Sequence, residues 1–295
     1  MTASSSGPRT SFVIASRDRS SELATVLNRL LDSTECPIIL VDNASRDDSV
    51  AVASRVARRS GNRVTVVELD ENLGAVGRNV GVARARTPFV AFCDDDSWWE
   101  PASIPLAERV FDAQPSVALL AARTVVWPDL RDDPIVADLA ASPLGHDPAL
   151  PGPSVLGFLS CSAIVRKSAF EAVGGFSPLL HFRGEEQLLA WDLAAAGWDL
   201  CFCETLTAFH QPSAQRPTTA AQDARSTRNA ALTAWLRRPL RPCAAASAAM
   251  LRAAVRDREH ARALGQAVRL LPAVCAHRRR LPVAVEDAVR LCESG

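Results

Sequence analysis

Five acidic side chains and one histidine in this 295-residue chain are of the types and at the spacings that chemistry needs. Asp94, Asp95 and Asp96 close the stretch "FCDDDSWWEP" directly after an apolar run. Carboxylates crowded together repel each other and resist leaving water, so a cation, a helix N-terminus or solvent must compensate them. Asp94-x-Asp96 suits a hard divalent cation such as Mg²⁺ or Mn²⁺, and it equally suits the first turn of a helix beginning near Pro101. Glu185 and Glu186 open a helical segment, where a carboxylate either favours the macrodipole or accepts a proton from a reacting hydroxyl. His210 ends an apolar run as a core histidine or a third metal ligand. Arg78 and Asn79 follow "ENLGAVG", whose G-x-x-G is not the G-x-G-x-x-G of dinucleotide binders, and no G-x-x-x-x-G-K-[ST] is present. These absences argue against a nicotinamide oxidoreductase and a P-loop nucleotidase.

The elements that position these groups can be read from periodicity. "TSFVIAS" (10–16), "PIILVD" (37–42), "RVTVVEL" (63–69) and "PFVAFC" (88–93) are buried-strand runs. Between them lie helical spacings: Leu23, Val26, Leu27, Leu30 and Leu31 after an N-cap at Ser20 or Ser21, then "DDSVAVASRVARRSG" and "GAVGRNVGVARAR". Strands alternating with helices imply a mostly parallel α/β sheet with helices on both faces and ligands at the strands' carboxyl ends. Ser16-Arg17, Asp42-Asn43 and the triple aspartate all fall at such ends, and so at one sheet edge. Residues 127–154 carry six prolines and little periodicity and read as a long surface loop. "VLGFLSCSAIV" (155–165) reads as a strand, "RKSAFEAV" and "GEEQLLAWDLAAAG" as helices, and "DLCFCETLTAFH" as one or two strands. Trp98 and Trp99 either stack on a ligand or pack beneath the following helix.

Five segments in order, "SFVIASRDR", "ILVDNASRDDS", "ENLGAVGRNVGVARARTPFVAFCDDDSWWEP", "VGGFSPLLHFRGEEQLLAWDLAAAGWDL" and "AFHQPS", resemble family 2 glycosyltransferases over about residues 9–215. The resemblance implies a GT-A fold, Rossmann-like, with the catalytic domain in 1–215 and a basic helical extension in 216–295. It implies an inverting transfer from a UDP-, dTDP- or GDP-linked sugar to an acceptor hydroxyl on a polysaccharide, a lipid-linked intermediate or a natural product. By the same resemblance, Ala15, Ser16, Arg17, Asp42, Asn43, Arg78, Asp94 and Asp95 would hold the donor. Asp94, Asp96 and His210 would hold Mg²⁺ or Mn²⁺, and Glu186, or its neighbour Glu185, would be the base. The family's usual pair here ends in Asp, and the extra methylene of Glu moves the carboxylate by about 1.5 Å. Two other readings stay open: a degenerate nucleotide-sugar binder, for which the Glu-Glu pair speaks, and a sugar-phosphate nucleotidyltransferase. The latter would want a glycine-rich loop after the first strand, and "ASRDRSSEL" has no glycine.

The net charge of zero hides an asymmetry. Residues 216–295 hold 15 arginines against 6 acidic residues, leaving 18 basic and 27 acidic residues in the remainder. A basic tail suits an anionic surface such as the inner face of a membrane, or the acidic body itself. Arginines without interleaved aromatic residues give no support to a nucleic-acid partner. The eight cysteines show no zinc spacing, and no apolar run reads as a signal peptide or a membrane span, so a cytoplasmic location is expected.

Overall fold

The computed structural model describes residues 7–212 and 219–294. Its first half alternates as expected: β1 (Thr10–Ser16), α1 (Ser20–Ser33), β2 (Ile38–Asp42), α2 (Ser49–Arg59), β3 (Val64–Glu68), α3 (Val76–Arg84) and β4 (Phe89–Cys93). There follow β5 (Ser97–Trp99), α4 (Ser103–Ala113), β6 (Val117–Val126), β7 (Arg131–Asp132) and α5 (Pro134–Ala140). A 3-10 turn at Ser160–Ser162 leads into β8 (Ala163–Arg166), α6 (Lys167–Ala172), α7 (Glu185–Ala195) and β9 (Asp199–His210). The C-terminal helices are α8 (Thr219–Arg237), α9 (Leu240–Ala254), α10 (Arg258–His277) and α11 (Val283–Ser294).

One nine-stranded sheet runs in the order β3-β2-β1-β4-β8-β6-β9-β5, with β7 paired to β6. The strands β3, β2, β1 and β4 are parallel, as βαβ crossovers require. Beyond β4 the sheet is mixed: β8 is antiparallel to both neighbours, β6 and β9 are parallel, and β5 is antiparallel to β9. Residues of β2 and β4 are buried throughout because helices cover both faces. On one face Leu23, Val26, Leu27 and Leu30 of α1 pack with Phe12, Ile14, Trp99 and Phe111; on the other, Val82 of α3 and Leu189 and Leu193 of α7 pack with Val13, Phe92 and Phe202.

The helices after β9 are docked, not appended. Leu232 and Leu236 of α8, Met250 of α9 and Val274 of α10 bury themselves with Leu180 and with Leu188 of α7. Full burial of each such side chain stabilises by about 1.5–3 kcal/mol. Arg237 of α8 grips Asp192 of α7, with Nη2 to Oδ2 at 2.9 Å, and Arg238 pairs with Glu286 of α11 at 3.0 Å. Part of the tail's positive charge is therefore matched internally. The expected boundary at 215/216 falls in 213–218, outside the described residues. No helix among the described residues is long and apolar enough to cross a membrane.

Three local expectations are corrected. The N-cap of α1 is Arg19, not Ser20 or Ser21, and it makes no side-chain cap. Asp47 supplies the acceptor from across the edge, taking the Ser20 amide at 3.1 Å. The segment 127–154 is not all loop: Asp133 caps α5 by accepting from the Ile135 amide at 3.1 Å, Pro134 opens the helix, and Val136 and Leu139 are buried. The strand expected at 155–165 begins only at Ala163, because the Ser160–Ser162 turn interrupts the apolar run. Periodicity alone does not separate a short buried strand from a buried turn.

Candidate active site

The carboxyl ends of β1, β2 and β4 meet at one edge, with Ser16 in register with Asp42 and Ile14 with Cys93. There the chain opens a cleft of about 440 Å³ whose lining includes Ala15, Ser16, Arg17, Asn43, Arg78, Asp94, Asp95, Asp96 and His210. Nine of the twelve expected residues thus share one cavity. Asp42, Glu185 and Glu186 are not in that lining. Asp42 is buried and turned back on its own loop, where it accepts from the Ser45 hydroxyl and, at 2.8 Å, from the Ser45 amide. Asn43 braces the opposite rim, accepting from the Leu73 amide at 3.2 Å and donating to the Gly74 carbonyl at 3.1 Å. Gly74 has φ +61°, and a Cβ there would collide with the His181 carbonyl, so this rim needs glycine.

The three aspartates have separate partners. Arg78, buried on α3, forms an ion pair with Asp94. The Asp95 carboxylate accepts from Ser16 Oγ at 2.7 Å; burial pushes its pKa up to about 7, and the charges of Asp94 and Asp96 add to that rise. Asp96 Oδ1 lies 3.6 Å from His210 Nε2, because β5 pairs antiparallel with β9 and sets Ser97 opposite His210. Among the described residues no group of three or more His, Cys, Asp and Glu side chains is arranged to hold a metal on its own. Asp96 and His210 instead fit two protein positions of a Mg²⁺ or Mn²⁺ site, since such ions take one or two carboxylates and fill the rest of their shell with water and substrate phosphate. Asp94, held by Arg78, stands beside that pair.

Trp98 and Trp99 are both core residues. Trp99 donates from Nε1 to the Phe92 carbonyl at 3.0 Å. Trp98 is 8% exposed, stacks on Phe209 with ring centroids 5.6 Å apart, and carries the Arg29 guanidinium 3.7 Å above its ring. Neither is placed to stack on a sugar.

Glu185 and Glu186 begin α7 after Gly184, whose φ is +78°. Glu185 is 1% exposed, and burial followed by the charge of Glu186 pushes its carboxyl up to about 8. Glu186 is half-buried, accepts from Ser160 Oγ at 3.0 Å, and is also raised, chiefly by burial. Burial disfavours the Arg78 cation, yet Asp94, Glu185 and Glu186 together hold it firmly protonated. Arg78 therefore lies within electrostatic reach of both acidic sets and links them.

A testable pH dependence follows from Glu185. A carboxyl with a raised folded pKa binds its proton more tightly folded than unfolded. Its contribution is fully present below the ordinary value of 4.5 and is lost as pH rises through about 8. Glu185→Gln, which mimics the protonated acid, is expected to raise Tm above wild type at pH 9 and to leave it nearly unchanged at pH 5. Melting curves at the two pH values check this, and an equal gain at both would contradict a buried, protonated Glu185.

Comparison with known proteins accords with this geometry. The family model for glycosyl transferase family 2 matches residues 11–174. The chain belongs to that family. A pre-mycofactocin glycosyltransferase of Mycobacterium tuberculosis is 35% identical over 133 residues, which cover 42% of this chain and 27% of the relative. The succinoglycan biosynthesis protein ExoU of Rhizobium meliloti is 29% identical over 92 residues, covering 30% of this chain and 27% of that protein. The aligned stretches thus span about a quarter of these relatives' length. A mannosyltransferase of Pyrobaculum calidifontis, solved with GDP-Man and Mn²⁺, superposes with TM-score 0.62 at 15% identity, covering 98% of this chain and 87% of that one. The S. aureus protein TarS with UDP-GlcNAc gives TM-score 0.59 at 18% identity, covering 97% and 91%. The fold is GT-A, with the C-terminal helices inside the region of likeness.

Several cleft residues escaped the reading of the sequence. Arg19, Asn72, Gly74, His181, Phe182 and Arg225 line the same cavity. The glycosyltransferase-like segments "SRDR" and "ENLG" contained the first three of these, so neighbourhood was a usable signal. Nothing local marked Arg225, which arrives from α8, or Ser160, which arrives from the 3-10 turn.

Proposed function

We propose that this chain is an inverting, metal-dependent glycosyltransferase that moves a sugar from a nucleoside-diphospho-sugar to an acceptor hydroxyl. One arrangement carries the reading: the Asp96–His210 pair lies at the cleft while Glu186, held by Ser160, stands at the start of α7, and Arg78 joins the two. Ala15, Ser16, Arg17 and Asn43 would receive the nucleoside, with Asp42 holding the loop that shapes its pocket. A divalent cation, Mg²⁺ or Mn²⁺, held by Asp96 and His210 would stabilise the charge that grows on the departing diphosphate. Ser160 holds Glu186 Oε1, which leaves Oε2 to accept the proton of the acceptor hydroxyl. The acceptor oxygen attacks the anomeric carbon opposite the diphosphate, the bond to the diphosphate breaks, and the configuration inverts. Arg78 keeps Asp94 fixed beside the phosphates. Glu185, 1% exposed, serves α7 structurally, and Glu186, half-buried beside Ser160, is left as the base.

The relatives' names favour a polysaccharide or natural-product acceptor, and the two solved neighbours favour GDP- or UDP-linked donors. In this reading 1–215 would be the catalytic unit and 216–295, with α8 to α11, an extension docked on it. Thermal-shift titration with UDP-, dTDP- and GDP-sugars, with and without Mn²⁺, tests the reading. A shift of several degrees is expected for one nucleotide class and only with the metal. No shift from any donor under either condition would overturn it and favour a degenerate binder.

A further inference from the structure

A second cavity, of about 350 Å³, lies against the donor cleft and shares His181 and Arg225 with it. Its other polar lining comes from Arg228, Glu259, Arg262 and Gln266, on α8 and α10. Among the described residues Glu259 is its one carboxylate, and that is taken up by Arg262 at 2.5 Å. Arg228 is anchored in the wall: it donates to Gln266 Oε1 at 2.5 Å and to the Leu180 carbonyl at 3.2 Å, both neutral acceptors. Burial and the nearby Arg225 both disfavour its charge, and Arg225 and Arg228 together also keep His181 from protonating readily, after burial itself. Like charges set side by side without an acid between them call for an anion, as crowded carboxylates call for a cation.

The two helices add to the same field. Arg228 meets Gln266 midway along α8 and α10, and just past α10 the Arg279 amide reaches the Leu236 carbonyl near the end of α8, so the helices run parallel. Both positive macrodipole ends therefore lie at the cavity's end of the pair, with Ala221 of α8 and Glu259 of α10, each in a first turn, in its lining. In the transferase reading Asp96, His210 and the cation they would hold serve the donor's diphosphate, which leaves the arginines of the second cavity to a different anion.

We propose that this cavity binds a phosphate ester carried by the acceptor, and so seats the acceptor's hydroxyl next to the donor cleft. The assignment rests on the transferase reading for its purpose, but phosphate binding is measurable without donor or metal. In EDTA-containing buffer at fixed ionic strength, glycerol phosphate would be titrated against wild type, the double variant Arg225→Glu/Arg262→Glu, and Arg252→Glu. Arg252 is exposed on α9, outside the cavity, and carries the same change of charge per substituted residue, half that of the double variant. Affinity is expected to fall about tenfold or more in the double variant and to hold in Arg252→Glu, as for loss of charge-assisted hydrogen bonds. Should the double variant misfold, Arg262→Ala alone serves, since that side chain is 70% exposed. A parallel arm uses phosphatidylglycerol against phosphatidylcholine vesicles: binding there with the same dependence, in place of the soluble ester, assigns the phosphate to a lipid-linked acceptor. No binding in either arm, or equal losses in the cavity and control variants, would overturn the proposal. A donor shift that fails in wild type while phosphate binding survives would sink the transferase reading and leave the phosphate site standing.

Discussion

Glu186→Gln is expected to lower kcat for sugar transfer by about 10²–10⁴-fold, the range associated with loss of a positioned general base. The amide keeps the shape of the carboxyl and can still meet Ser160, so α7 should start where it does now. Donor KM should change little, because the donor cleft's lining does not include Glu186. Such a loss in kcat at constant KM is the signature of an interaction made only in the transition state. Glu185→Gln is the matched control: its carboxyl is 1% exposed and already favours the protonated form, so its turnover should stay within a few-fold of wild type. If Glu185→Gln loses turnover and Glu186→Gln keeps it, the roles of the two residues are reversed.

Asp96→Ala should be nearly as damaging and for a different reason. Removing one carboxylate from a two-residue cation site leaves His210 alone to hold the ion. The expected result is loss of the Mn²⁺-dependent part of donor binding together with a fall in kcat of about 10²–10³-fold, comparable to deleting one electrostatic stabiliser of the transition state. The fold should survive, since Asp96 lies in the loop between β4 and β5 and its backbone carbonyl still receives the Gln211 amide at 2.8 Å. Calorimetric titration of donor with and without Mn²⁺ on both proteins reads the effect. Unchanged metal dependence in the variant would place the cation elsewhere.

These predictions rest on a fold that the sequence discloses unevenly. The first four strands were legible because β1, β2 and β4 are buried on both faces, the edge strand β3 still buries Val64 and Val67, and helices of the right spacing lie between them. Past Cys93 the local signals fail for identifiable reasons. β5 is three residues long and exists because β9 reaches across to pair with Trp98 and Trp99; nothing within "SWW" announces a strand. The 3-10 turn that presents Ser160 is hidden in an apolar run. In α5, by contrast, Asp133-Pro134 is an N-cap followed by a first-turn proline, a signal that was present but masked by the surrounding prolines.

The site divides the same way. Residue types at strand ends located Ser16, Asn43 and the three aspartates, since a parallel sheet must bring those ends together. Which aspartate does what was not legible. Arg78 singles out Asp94, Ser16 singles out Asp95, and the β5–β9 pairing brings His210 to Asp96, all through contacts between residues far apart in the chain. The same holds for the difference between Glu185 and Glu186: adjacent in sequence, they differ because α7 turns one into the core and leaves the other half-buried beside Ser160.

The most direct test of the central claim is to follow the donor's anomeric proton by NMR during turnover, with diamagnetic Mg²⁺ present and the nucleotide class chosen by thermal shift. Transfer or slow hydrolysis to a product of opposite anomeric configuration, absent in Asp96→Ala, is the result predicted. A product that retains configuration, or folded protein that binds donor and never turns it over, would contradict an inverting transferase at this cleft.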